Sequence, residues 1–162
     1  MLELPGLLIH PWKRACGEAI AVGAVRREVS DPATGQFLGF VQRREGFFTW
    51  LTGQAMEVYE TEDASLVLTL HRSWGLSRTW EVVDAENRRV GTIYRHWLLD
   101  GSGQRLALAQ PPVDSRPGRF VGADNSELGT FALGDDGILL TFNESLDPFT
   151  RMTLFGASLS FT

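Results

Sequence analysis

The chain of 162 residues has few of the side chains that build catalytic or metal centres. Cysteine occurs once, as Cys16, and histidine three times, as His10, His71 and His96. A single cysteine excludes a disulfide framework within the chain and a thiolate metal cluster, and it suits a reducing compartment. The sequence also lacks a Gly-x-Ser-x-Gly nucleophile elbow, a phosphate-binding loop and a His-Glu-x-x-His pair. We therefore expect a protein that is not an enzyme.

Long apolar runs are absent as well. Every run falls well short of the roughly 20 residues that cross a bilayer as a helix. Residues 1–11 include Glu3 and lack the basic stretch that opens a signal peptide. We expect a soluble, cytoplasmic protein. The formal net charge of −5 argues against a nucleic-acid partner, and lysine is nearly absent too, because Lys13 is the one lysine among the basic residues.

Most of the chain has the pattern of short strands separated by turns. Candidate strands cover residues 18–29, 37–42, 47–52, 54–60, 65–72, 80–83, 90–94, 105–109, 118–122, 128–133 and 137–142. The first two are joined by Asp31–Gly35, where proline and glycine preset the backbone angles of a turn. Residues 98–104 and 110–118 are predicted loops. Many short strands at close spacing are typical of a β-sandwich or a β-barrel.

Three predicted hairpins share a glycine that follows an acidic turn. These glycines are Gly39, Gly91 and Gly129, and each directly follows an apolar residue and has another apolar residue two positions later. Glycine weakens a strand interior, so its presence indicates a bulge or a close approach of another backbone. In a small barrel such glycines would bend the wall or make room for whatever fills the interior. The alternative is that hairpins of this kind are common in any β-protein.

The C-terminal segment has a different pattern. Asp147 followed by Pro148 is typical of a helix start. The residues after this cap are apolar or small on nearly every side, and Arg151 is the charged exception. A helix that is apolar on every side must be buried on every side. Its length of about 21 Å is too short for a bilayer and fits the interior of a barrel.

These patterns together predict one domain over residues 1–162. Its fold class is mainly β, or α+β by strict classification. We expect a closed, mostly antiparallel β-barrel over about residues 18–145, with a hydrophobic central helix over about residues 147–161.

The sequence resembles the tubby-like superfamily, which includes tubby C-terminal domains, phospholipid scramblases and the LURP-one-related proteins of plants. The matching parts are the hairpin Asp84 to Ile93, the segment Gly137 to Phe142, and the closing helix with Leu146-Asp147 and Phe155-Gly156-Ala157. The resemblance implies a barrel of about 12 strands around that helix. It also implies roles at membranes: phosphoinositide binding for tubby domains and calcium-dependent lipid translocation for scramblases.

The resemblance to scramblases also raises calcium as a cofactor, because scramblases carry an acidic calcium-binding stretch just before the helix. Asp147 keeps one acidic position of that stretch, and Ser145 replaces another. Asp135, Asp136 and Asp147 are therefore candidate calcium ligands, since Ca²⁺ prefers oxygen atoms. Their spacing does not match an EF-hand, and a turn at Asp135-Asp136-Gly137 with a helix cap at Asp147 explains the same residues without a metal. No other cofactor is expected.

Pairs of basic residues indicate a site for lipid headgroups. Lys13 and Arg14 follow Trp12, and Arg43 and Arg44 end a predicted hairpin. Arginine binds phosphate through two hydrogen bonds at once, and tryptophan suits a membrane interface. We predict that Lys13, Arg14, Arg43 and Arg44 contact the headgroups of anionic phospholipids, which would make the protein peripheral to a membrane.

Ordinary solvated surface explains the same basic pairs, because adjacent residues of a strand point to opposite faces. The alternative function is accordingly a structural or protein-interaction domain that binds no small molecule. The distribution of charge separates the two hypotheses. Arginines clustered with Trp12 on one part of the barrel would favour a lipid or membrane partner, and an even spread would favour a protein partner.

Overall fold

The computed structural model describes residues 1–14, 24–44, 55–61, 63–72, 79–114 and 116–161, and these residues form thirteen β-strands and one α-helix. The strands are β1 (Gly6–Ile9), β2 (Lys13–Arg14), β3 (Ala24–Ser30), β4 (Phe37–Arg44), β5 (Ala55–Glu60), β6 (Ser65–Arg72), β7 (Thr79–Asp84), β8 (Arg89–Tyr94), β9 (Trp97–Asp100), β10 (Arg105–Gln110), β11 (Gly118–Gly122), β12 (Glu127–Gly134) and β13 (Gly137–Phe142). The helix is α1 (Pro148–Ser160).

One antiparallel sheet closes into a barrel. From β3 to β13 each strand pairs with the next one along the chain, and β1 pairs with both β13 and β3. Twelve of the described strands therefore form the closed ring, while β2 pairs with β3 beyond the end of β1. The predicted mainly β barrel is confirmed. It starts further towards the N-terminus than residue 18, because Gly6–Ile9 supplies the strand that closes the ring.

Most predicted strands match observed ones within two residues at each end, and the differences concern short strands. The structure adds β1 and β2, and it turns part of the predicted loop 98–104 into β9. The predicted strand 47–52 and the first six residues of the predicted strand 18–29 lie outside the described residues. Among the described residues, no helix combines the length and apolar character that crossing a bilayer requires.

The helix α1 fills the centre of the barrel, as predicted. Leu154, Phe155, Ala157 and Leu159 are each at most 1% exposed. Asp147 caps its start, since its carboxylate accepts hydrogen bonds from the backbone N–H groups of the two residues that follow Pro148, each at 3.0 Å. The predicted helix over about residues 147–161 is thus confirmed, with the cap just outside it.

The three hairpin glycines lie at bulges in the wall, and one of them, Gly91, makes room for the helix. The sheet register shifts beside each of them, which is the signature of a β-bulge. At Gly91 a Cβ atom would come within 2.4 Å of Oγ1 of Thr153 on α1. Only glycine therefore allows α1 to lie this close to β8.

Antiparallel strands alternate in direction, so their connections collect at the two ends of the barrel. The turns after β3, β5, β7, β9 and β11 lie at the end where α1 begins. The turns after β8, β10 and β12 lie at the end where α1 finishes. These two ends differ in charge, and that difference defines the candidate site.

Candidate functional site

The end of the barrel where α1 begins is acidic. Its described carboxylates are Glu3, Asp31, Glu60, Asp63, Asp84, Glu86, Asp100, Asp124, Glu127, Glu144 and Asp147. We call this end the acidic end. Three basic residues also lie there, namely Arg88, Arg89 and Arg151, while the guanidinium carbon of Arg105 lies 3.9 Å from the ring centre of Trp97, towards the other end.

Most of the aspartates at the acidic end have a structural task. The pKa of Asp31, Asp100 and Asp124 is lowered, because in each turn a hydroxyl group two or three residues further on donates to the carboxylate. Backbone N–H groups of the same turns donate as well. Short polar side chains that bond to their own backbone in this way are typical of turns. Local turn formation therefore explains why acidic residues collect at this end.

Asp84 is the buried member of this group and is 5% exposed. Its carboxylate accepts from the backbone N–H groups of Glu86 and Arg88, at 3.0 and 2.8 Å, and pairs with the Arg88 guanidinium at 2.7 Å. Burial alone would raise the pKa of Asp84, but these hydrogen bonds and the charge of Arg88 outweigh it and lower the pKa. Arg88 also pairs with Glu86 at 3.0 Å. The arginine of this turn is thus neutralised locally.

The other end of the barrel, where α1 finishes, is basic. Its basic residues with described side chains are Lys13, Arg26, Arg27, Arg43, Arg72, Arg95, Arg116 and Arg119, and the backbone of Arg14 and Arg44 lies there too. We call this end the basic end. Three acidic residues lie in its described connections, namely Asp114, Asp135 and Asp136, and Glu57 and Glu81 lie on strands at the level of Arg26 and Arg72. Turn formation does not require arginine, so the fold alone does not explain this concentration.

Trp12 lies between two arginines at the basic end. Val25 pairs with Arg43 across β3 and β4, and Arg27 lies two residues from Val25, so Arg27 and Arg43 share the inner face of the barrel wall. Their guanidinium carbons lie 4.4 and 4.7 Å from the ring centre of Trp12. Arg27 is only 8% exposed. Burial, together with the charge of Arg43, lowers the pKa of Arg27 to about 10.

The neighbouring residue Arg26 faces the outside of the barrel. Its guanidinium carbon lies 3.2 Å from the ring centre of Phe40, which stacks on Tyr59 with ring centres 4.9 Å apart. Burial lowers the pKa of Arg26, against the opposing effect of the Glu28 charge. The pair Arg26-Arg27 therefore has one outer and one inner guanidinium, and both contact an aromatic ring.

The structure brings the four predicted headgroup residues together. Arg14 and Arg43 both lie opposite Val25, Lys13 lies opposite Arg26, and Arg44 lies opposite Ala24. All four thus belong to three adjacent strands at one end of the barrel. Lys13 is exposed, and Arg43 is partly buried beside Trp12.

A pocket of ≈ 690 Å³ opens at the basic end, beside the last residues of α1. Arg72, Trp80 and Ile93 lie side by side on β6, β7 and β8 and form one wall. The turn residues Arg95 and His96, together with Ser160 and Phe161 at the end of α1, complete the lining. Sequence reasoning missed this group, because its members come from three strands and a helix end that are far apart in the chain. The one indication of this group in the sequence was the pair Arg95-His96, which lies in the two-residue turn between β8 and β9.

The structure does not bring the three predicted calcium ligands together. Asp135 and Asp136 lie in the turn between β12 and β13 at the basic end, and Asp147 caps α1 at the acidic end. The six residues of β13 separate them by roughly 20 Å. The three residues therefore do not form a calcium site, because the length of the barrel separates Asp147 from Asp135 and Asp136.

Arg151 organises the segment that the resemblance to scramblases indicated for calcium. Its guanidinium donates to the carbonyl oxygens of Leu2 and Glu144, at 2.9 and 3.0 Å, and to those of Leu4 and Asn143, at 3.3 and 3.4 Å. Both oxygens of the Asp147 carboxylate accept hydrogen bonds from the first turn of α1. Within the described residues, no three histidine, cysteine or acidic side chains are grouped as metal ligands would be.

Comparison with known proteins supports the fold. No protein-family model and no curated protein matches the sequence. Among solved structures, the chain is similar to the X-ray structure of a protein from Arabidopsis thaliana, with a TM-score of 0.60 and 12% sequence identity. The similarity covers 96% of this chain and 87% of the plant protein. At this level of identity, the likeness establishes a shared architecture over nearly the whole chain.

Proposed function

We propose that this barrel is a non-enzymatic, tubby-like domain, related to scramblases or LURP-one proteins, that binds the headgroups of anionic phospholipids through its basic end. The observation that carries the proposal is the clustering of arginines with Trp12 at one end of the barrel. Arginines clustered with Trp12 favour a lipid partner, whereas an even spread of charge would favour a protein partner.

The cluster supports anion binding for energetic reasons. Arg27 and Arg43 hold two like charges against one aromatic ring, and Arg27 is nearly buried. Two like charges placed side by side strengthen the positive field at this end of the barrel. A phosphate group there would be attracted by this field, and arginine forms short, charge-assisted hydrogen bonds with phosphate. Tryptophan beside arginine is also suited to the boundary between headgroups and acyl chains.

The net negative charge of the chain does not oppose this function. Charges that lie more than about 8 Å apart in solvent are largely screened at physiological ionic strength. The acidic end lies a full barrel length away from the basic end. The local concentration of arginine therefore decides which anions approach this end.

The proposal is tested by co-sedimentation with vesicles of phosphatidylcholine, with and without phosphatidylserine or phosphoinositide. We expect salt-sensitive binding to the anionic vesicles, with no requirement for calcium. Arg43→Gln should weaken binding about five-fold, since each basic residue near the surface contributes about 1 kcal/mol. Arg89→Gln, at the acidic end, is the matched control and should leave binding unchanged. Absence of binding by the unaltered chain would favour the alternative function, a protein-interaction domain.

A further inference from the structure

The pocket beside the end of α1 has the chemistry of a phosphate site. Arg72, Arg95 and His96 supply nitrogen donors, whereas the hydroxyl group of Ser160 already donates to the carbonyl oxygen of Ala157 at 2.8 Å. No carboxylate is found among the described residues that line it. Its volume of ≈ 690 Å³ lies within the range of small-molecule sites. A ligand that fits this lining carries negative charge at the entrance.

The aromatic residues of the pocket set the position of the basic ones. The guanidinium carbon of Arg72 lies 5.7 Å from the ring centre of Trp80. The rings of His96 and Phe161 lie 6.0 Å apart, and Phe161 stacks on buried Phe131 at 5.6 Å. The carbonyl of His96 also accepts from the N–H of Ala109 at 2.8 Å, which fixes the turn against β10.

The tip of the hairpin between β8 and β9 presents a different surface beside the pocket entrance. Tyr94 and Trp97 lie directly opposite each other and are 44% and 37% exposed. Between them, Arg95 adopts a left-handed backbone conformation with φ 57°, and its guanidinium lies 5.5 Å from the Tyr94 ring centre. Exposed tyrosine and tryptophan flanked by arginine are typical of a segment at the membrane interface.

We infer that this pocket receives the phosphate of a phospholipid headgroup, with Arg72 and Arg95 as the anion-binding residues. Tyr94 and Trp97 then contact the boundary between the headgroups and the acyl chains. The inference rests on the proposed function and refines it, since it places a headgroup phosphate in the pocket at the end of α1, while the Trp12 cluster adds positive charge to the same end of the barrel. The exposed aromatic pair beside the entrance favours a lipid over a free phosphate compound.

The location of the site is tested with a soluble headgroup fragment, sn-glycerol 3-phosphate, titrated into ¹⁵N-labelled protein. We expect backbone amide shifts at Arg95, His96, Ser160 and Phe161. The amides beside Asp124 at the acidic end serve as the internal reference and should not shift. Shifts confined to β2, β3 and β4 would overturn the inference and move the site to the Trp12 cluster.

The contribution to lipid binding is tested with the double variant Arg72→Gln and Arg95→Asn. Asparagine tolerates the left-handed conformation of position 95, so the turn is retained while its charge is removed. The control is Arg89→Gln, which removes an exposed positive charge at the acidic end and leaves the pairing of Arg88 with Asp84 intact. We expect the double variant to weaken binding to phosphatidylserine vesicles about 25-fold and the control to change it less than about two-fold. Equal melting temperatures of the double variant and the unaltered chain establish that the fold is intact.

The outcomes separate this inference from the proposed function. If the unaltered chain binds anionic vesicles and the pocket variant binds them equally well, the pocket assignment is wrong and the proposed function stands. If glycerol 3-phosphate binds in the pocket but the unaltered chain ignores anionic vesicles, a free phosphate compound is the ligand, and the lipid source is overturned together with the proposed function.

Discussion

The two ends of this barrel use charge in opposite ways. At the acidic end, Asp31, Asp84, Asp100 and Asp124 each accept hydrogen bonds from their own turns, so their charge is part of the fold. At the basic end, guanidinium groups lie on aromatic rings, as Arg27 does on Trp12. A charge that local hydrogen bonds explain carries little information about function. A concentration of charge that no turn requires is the better indication of a ligand.

The helix α1 contributes to this segregation. Its N-terminus lies at the acidic end and its C-terminus at the basic end, which is the favourable orientation of a helix dipole. The dipole stabilises nearby charges by about 0.3–1 kcal/mol each and acts only within the terminal turns. It therefore favours the observed polarity but does not account for two arginines held against Trp12.

The largest expected effect is a loss of stability, caused by a charge placed in the helix that runs between the two ends. Ala157 is fully buried in α1, and Ala157→Asp would place an uncompensated carboxylate in the barrel interior. The penalty of several kcal/mol is comparable to the total stability of a domain, about 5–15 kcal/mol. We expect loss of cooperative thermal unfolding, measured by circular dichroism. Leu133→Asp is the control, because Leu133 is 51% exposed and tolerates charge. A cooperatively melting Ala157→Asp variant would contradict an internal helix.

The next largest effect concerns the contribution of an acidic turn to the free energy of unfolding. Asp84→Ala would leave the buried N–H groups of its turn without an acceptor and remove the partner of Arg88. We expect the free energy of unfolding to fall by about 2 kcal/mol and vesicle binding to stay unchanged, measured by urea unfolding and co-sedimentation. Glu86→Gln, in the same turn but exposed, should change neither quantity. A loss of vesicle binding by folded Asp84→Ala would show that the acidic end takes part in function.

A smaller effect concerns the cap of α1 and depends on pH. Burial opposes the charged form of Asp147, but hydrogen bonds from Thr150 and Phe149 outweigh it and lower the pKa of the carboxyl below its usual value. Because the pKa of Asp147 is lower in the folded state than in the unfolded state, its carboxylate stabilises the protein when the pH is above the unfolded pKa. That contribution is lost as the pH falls through the folded pKa. Asp147→Ala should therefore lower the free energy of unfolding by about 1 kcal/mol at neutral pH. The difference from the unaltered chain should shrink in urea unfolding at about pH 3, and a constant difference would contradict the cap.

The sequence predicted the parts of the fold that have strong local signals. The helix was predictable because Asp147 and Pro148 mark its start and because its residues are apolar on every side. Gly91 was predictable as a close contact, although the sequence did not identify Thr153 as its neighbour. The closing strand β1 was not predictable, because both of its partners lie far away in the chain.

The candidate site shows the same limit. Arg14 and Arg43 were predicted together from their types alone, and the sheet places both opposite Val25. The carboxylates of Asp135 and Asp147 are close in sequence, yet a strand separates them. The pocket formed by Arg72 and Arg95 depends on barrel closure around α1, and no local pattern of residues contains that information.

The smallest expected change in stability comes from replacing a nearly buried arginine at the basic end. Arg27 is nearly buried, and its pKa is lowered to about 10 by burial and by Arg43. Arg27→Met keeps a long side chain against Trp12 while it removes the buried charge. The relief of burial and of repulsion from Arg43 should offset the contacts that Arg27 loses, so we expect the free energy of unfolding to change by less than about 1 kcal/mol, while binding to anionic vesicles weakens about five-fold. Asp84→Ala should show the opposite behaviour in the same two assays. If Arg27→Met instead lost about 2 kcal/mol or more, the arginines of the basic end would be part of the fold, as the aspartates of the acidic end are.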